Sequence, residues 1–133
     1  MLTRRAFASC ALCVVTGFVA TGAEAQNASA GLRRTILTRT DGPMDGYETV
    51  NARVDLDAGT LVARHTHPGI ESSYVVDGAL ELSVDGQRAR TFKAGDGFQV
   101  PPRVPHSGKS GDRPTILAIT YVVEKGKPLA SPA

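Results

Sequence analysis

The chain has 133 residues, enough for one domain and too few for two. It is 41% hydrophobic and 21% charged, and its formal charge of +2 is too small and too evenly spread to point to nucleic acid or an anionic membrane as partner. Its 14 glycines and 8 prolines favour frequent turns, hence short strands rather than long helices.

The first predicted element is an export signal over residues 1–25. Met1 to Arg5 is a short basic start, Ala6 to Ala23 carries no charge, and Ala23-Glu24-Ala25 is a small-x-small cleavage site before Gln26. Thr3-Arg4-Arg5-Ala6-Phe7 resembles a twin-arginine signal. A Sec signal with two arginines is the alternative; the mild apolar region, with Ser9, Thr16 and Gly17, favours the twin-arginine route. Diluted in this way, the uncharged run is a poor membrane anchor, being near the lower limit of about 18 residues for a spanning helix. Cleavage would take both cysteines, Cys10 and Cys13, with it. The mature chain, residues 26–133, would then hold no disulfide and no thiolate ligand, in a periplasm where disulfides form.

Residues 26–31 read as a flexible leader. Leu32 to Thr38 is a strand, either exchanged with a second copy or an ordinary edge strand, and the Arg33-Arg34 doublet on it reads as a solvated edge. Aspartate–glycine turn signals then recur at Asp41-Gly42, Asp45-Gly46, Asp77-Gly78 and Asp85-Gly86. Between them Val50, Ala52, Val54 and Leu56 alternate with polar residues, as do Leu80, Leu82 and Val84. Thr115 to Val123 is apolar on both faces, as a central strand or one covered by a partner would be. No helical period persists past residue 25, so the class is all-β, a sandwich or barrel. The charged, Gly- and Pro-broken Glu124–Pro128 tail is a surface strap or a frayed end.

The chain has three histidines. His65 and His67 are two apart, so on a strand both project from one face, which alternation would share with Leu61 and Ala63. Pro68-Gly69 turns the chain, and Glu71 starts the next strand, expected as an antiparallel neighbour that returns its carboxylate to the histidines. By the same alternation Tyr74 and Arg64 face away. Ser73 has the parity of Glu71 and either lines the barrel or reaches a bound ligand. Gln99 and Arg103 precede His106 and are candidates for the pocket entrance.

Gly59, His65, His67, Glu71 and Gly78 stand as G-x5-H-x-H-x3-E-x6-G, which resembles the first cupin motif at every named position. Gly95, Pro101 and His106 resemble the second, with Arg103 in place of its glycine and Ser110 in place of its asparagine. If that glycine has positive φ, arginine there strains the loop. The resemblance implies a cupin jelly-roll (double-stranded β-helix) barrel with one divalent metal held by His65, His67, Glu71 and His106, and a homodimer. Three imidazoles and a carboxylate suit Mn, Fe, Ni, Cu or Zn. A carboxylate-bound divalent ion keeps a local charge of +1, favouring a small oxygen-rich anion as ligand or substrate, with oxygenase-like chemistry one outcome and a non-catalytic metal or small-ligand binder the other.

Overall fold

The computed structural model describes residues 29–133, so the export signal lies outside the described residues. Within them there is no helix, hence none long and apolar enough to cross a membrane. The ten strands are β1 (Leu32–Asp41), β2 (Tyr47–Leu56), β3 (Leu61–Thr66), β4 (Gly69–Asp77), β5 (Ala79–Val84), β6 (Arg90–Lys93), β7 (Gly97–Val100), β8 (His106–Ser110), β9 (Thr115–Glu124) and β10 (Ser131–Pro132). They form two five-stranded antiparallel sheets, ordered β1-β2-β9-β4-β7 and β10-β3-β8-β5-β6. Facing sheets of short strands make the jelly roll that the motifs imply.

Alternation explains which side chains fill the space between the sheets. Val50, Ala52, Val54 and Leu56 of β2 are buried, as are Leu80, Leu82 and Val84 of β5. Leu117, Ile119, Tyr121 and Val123 of β9 join them, and β9 is the middle strand of its sheet, while Ile116, Ala118 and Val122 on its other face stay half-buried or exposed. Phe92 and Phe98 meet with ring centroids 5.0 Å apart and help fill the far side of the core.

Two glycines bear directly on the site. Gly69 opens β4 so close to β9 that a Cβ there would sit 2.0 Å from the Val122 carbonyl oxygen. Gly78 takes φ +82°, and a Cβ on it would meet the Pro114 carbonyl oxygen at 2.4 Å. Only glycine allows both the left-handed turn and the approach, so these two fix the ends of the strand carrying Glu71.

Two expectations change, and an open one is decided. β3 and β4 are not neighbours: they lie in different sheets, so Pro68-Gly69 carries the chain across the sandwich and Glu71 meets the histidines from the opposite sheet. Alternation also fails along β3. A register shift between Val62 and His65 leaves Leu61 and Ala63 exposed, while Val62 packs on the core and His65 is buried. An inserted residue reverses the faces, and the sequence carries no mark of it. The tail is a strap rather than a frayed end: Leu129 is buried, and β10 pairs Ser131 with Thr66 and Pro132 with His65. β1 pairs with β2 of its own chain, from Leu32 opposite Leu56 to Asp41 opposite Glu48, the ordinary edge arrangement.

Candidate metal centre

The four residues of the sequence pattern converge. His65 and His106 are direct cross-strand partners on β3 and β8, Glu71 comes from β4 in the facing sheet, and His67 sits in the crossing between. All four are buried, and one ligand atom from each lies within 4.8 Å of the others. The His65 and His67 Nε2 atoms are 3.1 Å apart, and Glu71 Oε2 lies 2.8 Å from His67 Nε2 and 3.3 Å from His106 Nε2.

Each imidazole is oriented by its other nitrogen. His65 Nδ1 is 2.7 Å from the Ala63 carbonyl, His67 Nδ1 2.6 Å from that of Leu129, and His106 Nδ1 2.9 Å from that of Val104. A carbonyl oxygen only accepts, so each Nδ1 carries a proton and each ring turns its Nε2 inward, the atom that would face a cation. Ser73 donates its hydroxyl to Glu71 Oε1 at 2.6 Å, neither free to meet a ligand nor merely lining the barrel: it holds the carboxylate in place. Outer hydrogen bonds of this kind orient ligands in metal sites.

Electrostatics point the same way. Burial, followed by the charge of His106, pushes the His65 imidazole down to about 4, so it is neutral near pH 7. Burial opposes ionisation of Glu71, but hydrogen bonds from His106 and His67 outweigh it and hold the carboxyl well below the usual carboxylate range. Burial also pulls His106 down, and the Glu71 carboxylate more than reverses this, raising the imidazole above its ordinary value. Three inward Nε2 atoms and an anionic carboxylate converge on one point, where a cation would take the place of the protons that His67 and His106 share with Glu71. Such a donor set fits a divalent cation of borderline softness.

The cupin domain family matches residues 52–124. The chain belongs to the cupin domain family. Among solved structures this cupin resembles an RmlC-like cupin from Shewanella frigidimarina, with 28% identity over 76% of this chain and 83% of that one and a TM-score of 0.61. It also resembles the DMSP lyase DddQ from Ruegeria pomeroyi, at 22% identity over 77% of this chain and 51% of that one, TM-score 0.66. A third is an oxalate oxidase, at 21% identity over 80% and 57% of the two chains, TM-score 0.63. No curated protein matches in sequence.

The cupin's pocket brings in residues that sequence reasoning passed over. An outer cavity of about 310 Å³ is lined by Ser29, Arg34, Val62, Arg64, His65 and Pro132, among others. An inner pocket of about 40 Å³ shares Leu32, Arg34, Val62 and His65 with it and reaches Glu71, His106 and Tyr121. The basic doublet therefore splits: Arg33 is exposed, whereas Arg34 lies opposite Val54 on β2 and turns inward with it. Its guanidinium carbon sits 5.9 Å from the centre of the Tyr121 ring. Tyr121 is the cross-strand partner of Glu71, and its ring lies 4.8 Å from that of His67. Burial, then the Glu71 charge, raises the phenol well above its ordinary value, while a hydrogen bond from Arg34 works against them, so Tyr121 is neutral.

The expected entrance residues stand elsewhere. Gln99 is exposed and donates to Ser72 Oγ at 2.9 Å, and Arg103 pairs with Glu124 at 2.8 Å. Tyr74 is exposed as alternation requires. Arg64 is exposed and pairs with both oxygens of Asp85, but it also lines the outer cavity. Ser110, at the motif's asparagine position, accepts from Thr60 N and donates to the Asp57 carbonyl, tying the turn after β2 to β8.

Proposed function

We propose that this chain is an exported, periplasmic metal-binding cupin in which His65, His67, Glu71 and His106 hold one divalent transition metal ion and present it to a small oxygen-rich anion, on which it performs oxygenase-like chemistry. The observation carrying this reading is the set of three inward Nε2 atoms, their rings fixed by backbone carbonyls at Nδ1, aimed with the Glu71 carboxylate at one point. Mn, Fe, Ni, Cu and Zn all suit these donors. When bound, the ion supplies Lewis acidity and open coordination positions.

The chain's own residues supply the rest. Glu71 cancels one of the ion's charges and leaves a local +1, which favours an anionic ligand. Ser73 keeps the carboxylate turned to the histidines. The apolar wall of Leu80, Leu82, Leu117 and Ile119 lowers the local dielectric and strengthens every charge interaction inside. The inner pocket has room for about three water-sized groups, so only a small ligand, or one end of a longer ligand, reaches the centre. The names of two solved neighbours, a lyase and an oxalate oxidase, support a small-molecule activity.

A non-catalytic metal or small-ligand binder is the alternative, favoured by one observation. Among the described residues Glu71 is the only acidic one lining either cavity, and it is already assigned to the metal. Titrating the Co(II)-loaded protein with oxalate tests both. We expect a changed visible spectrum and a higher melting temperature. Consumption of oxalate or dissolved oxygen identifies the enzyme, and a spectral change without turnover the binder. A spectrum indifferent to every added anion would leave only a closed, structural site.

The homodimer belongs to the same proposal. Ile70, Tyr74 and Val76 form an exposed apolar row on the outer face of the β4 sheet, the kind of surface a second copy covers. A monomer mass in sedimentation at micromolar concentration would remove it.

A further inference from the structure

β1 and β10 edge the two sheets on the side of the outer cavity, and β7 and β6 edge them on the other. On that second side lies a separate cavity of about 120 Å³. The buried Leu82, Val84, Phe92 and Phe98 form its floor, and the exposed Arg88 and Arg90 stand over it. Register explains how Arg90 comes there. It pairs with Leu82 as Phe92 pairs with Leu80, so Arg90 and Phe92 share the inward face of β6. The guanidinium carbon of Arg90 lies 4.9 Å from the centre of the Phe92 ring. Stacking of this kind occupies a face of the guanidinium, whereas its N–H donors point outward in the plane. Arg33, Arg39, Arg53, Arg64, Arg103 and Arg113 each pair with a carboxylate. Arg88 and Arg90 form no ion pair among the described residues, and these two share the cavity.

We propose that this cavity is a second binding site, in which the Arg88 and Arg90 guanidiniums hold the carboxylate of a short-chain carboxylic acid and the apolar floor takes its hydrocarbon end. The site is independent of the proposed metal centre. Charge supports it, because two guanidiniums two residues apart attract an anion, and their planar donor forks match a carboxylate. The floor narrows the class. Leucine, valine and two phenylalanines give nothing to a bare inorganic anion but favour a hydrocarbon tail. Size agrees: the cavity has room for roughly ten water-sized groups, enough for an acid of a few carbons. Gly97 brings no side chain to the lining, which keeps the β7 side open. An inward charge on an edge strand also discourages edge-to-edge pairing. That role accounts for Arg90, but it requires neither Arg88 nor a cavity.

The test is to titrate the Zn(II)-loaded mature chain with butyrate, acetate and inorganic phosphate in turn, following backbone amides by NMR. Reading each residue separately keeps binding here distinct from binding at the histidines. Butyrate should give saturable shifts at Arg88, Arg90 and Gly97, with an affinity about tenfold above that of acetate, from two added methylenes on the floor. Phosphate should bind more weakly than butyrate. Arg88→Gln and Arg90→Gln, each first checked for a cooperative thermal transition, should each weaken butyrate about fivefold or more. Arg53→Gln, which removes an arginine paired with Asp55 on β2, should leave butyrate within about twofold. Absence of saturable shifts at Arg88, Arg90 and Gly97 would overturn the site. Equal affinity for acetate and butyrate, or phosphate the tightest of the three, would overturn the carboxylic-acid assignment. Undiminished butyrate binding in both cavity variants, with self-association of Arg90→Gln in sedimentation, would make Arg90 an edge guard and overturn the proposal.

Discussion

Arg103 adopts φ 60° at the position where the second cupin motif has glycine, so the loop keeps the glycine-like turn and the arginine bears the strain. The turn matters because the Arg103 amide donates to the His67 carbonyl at 3.0 Å, directly behind a proposed ligand. Its side chain recovers little, since the ion pair with Glu124 is largely exposed. Replacing Arg103 by Gly should therefore relieve about 1 kcal/mol of left-handed strain, less the extra entropy glycine gains when unfolded. Thermal denaturation should show a melting temperature higher by a few degrees with unchanged metal stoichiometry; a lower one would mean that the Glu124 contact outweighs the strain. This substitution was visible in the sequence, as were His65, His67, Glu71 and His106, because motif spacing records which residues recur at a site. Arg34 and Tyr121 were not. A charge on an edge strand reads as solvated until its partner strand is known, and one aromatic in an apolar run reads as core.

At the scale of elements, strands that present one clean face to the core were readable, and β2 and β5 follow their alternation residue by residue. β3 was not, since a bulge between Val62 and His65 inverts its faces without any change in composition. Nor could sequence tell that β3 and β4 belong to opposite sheets, because a tight Pro-Gly turn serves a hairpin and a crossing equally well. The C-terminal strap was half legible: Gly and Pro marked an irregular segment, but not that Leu129 anchors it in the core. That anchor holds the site, because the Leu129 carbonyl takes the proton of His67 Nδ1. Deleting residues 129–133 should weaken metal retention about tenfold or more, as loss of an outer hydrogen bond typically does. It should also remove about 2 kcal/mol of stability through the lost burial of one leucine. Competition for Zn(II) against a calibrated chelator reads the first effect, and unchanged retention would show that His67 needs no carbonyl to orient it.

On the scale of the whole molecule, the jelly roll brings the β3–β8 pair of one sheet up to β4 of the other, so that the distant His106 joins His65, His67 and Glu71, which are near one another in sequence. Length, turn spacing and motif together were enough to anticipate that architecture, since an all-β chain of this size with paired cupin motifs has few other ways to bury its apolar faces. Chemistry was less legible, because it depends on what enters the pocket from β1 and the strap, outside both motifs. The proposed export of the chain bears on the metal. A protein that crosses the membrane folded takes its ion from the cytoplasm, where weakly binding Mn(II) or Fe(II) is held before copper or zinc competes. The most direct measurement is elemental analysis of the protein recovered from its native periplasm without added metal, beside the His106→Ala variant prepared in the same way. The proposed centre predicts one transition metal ion per chain in the wild type and a near-metal-free variant that still folds, with the melting temperature of stripped wild type. Wild type without metal, or a His106→Ala variant with undiminished stoichiometry, would contradict it.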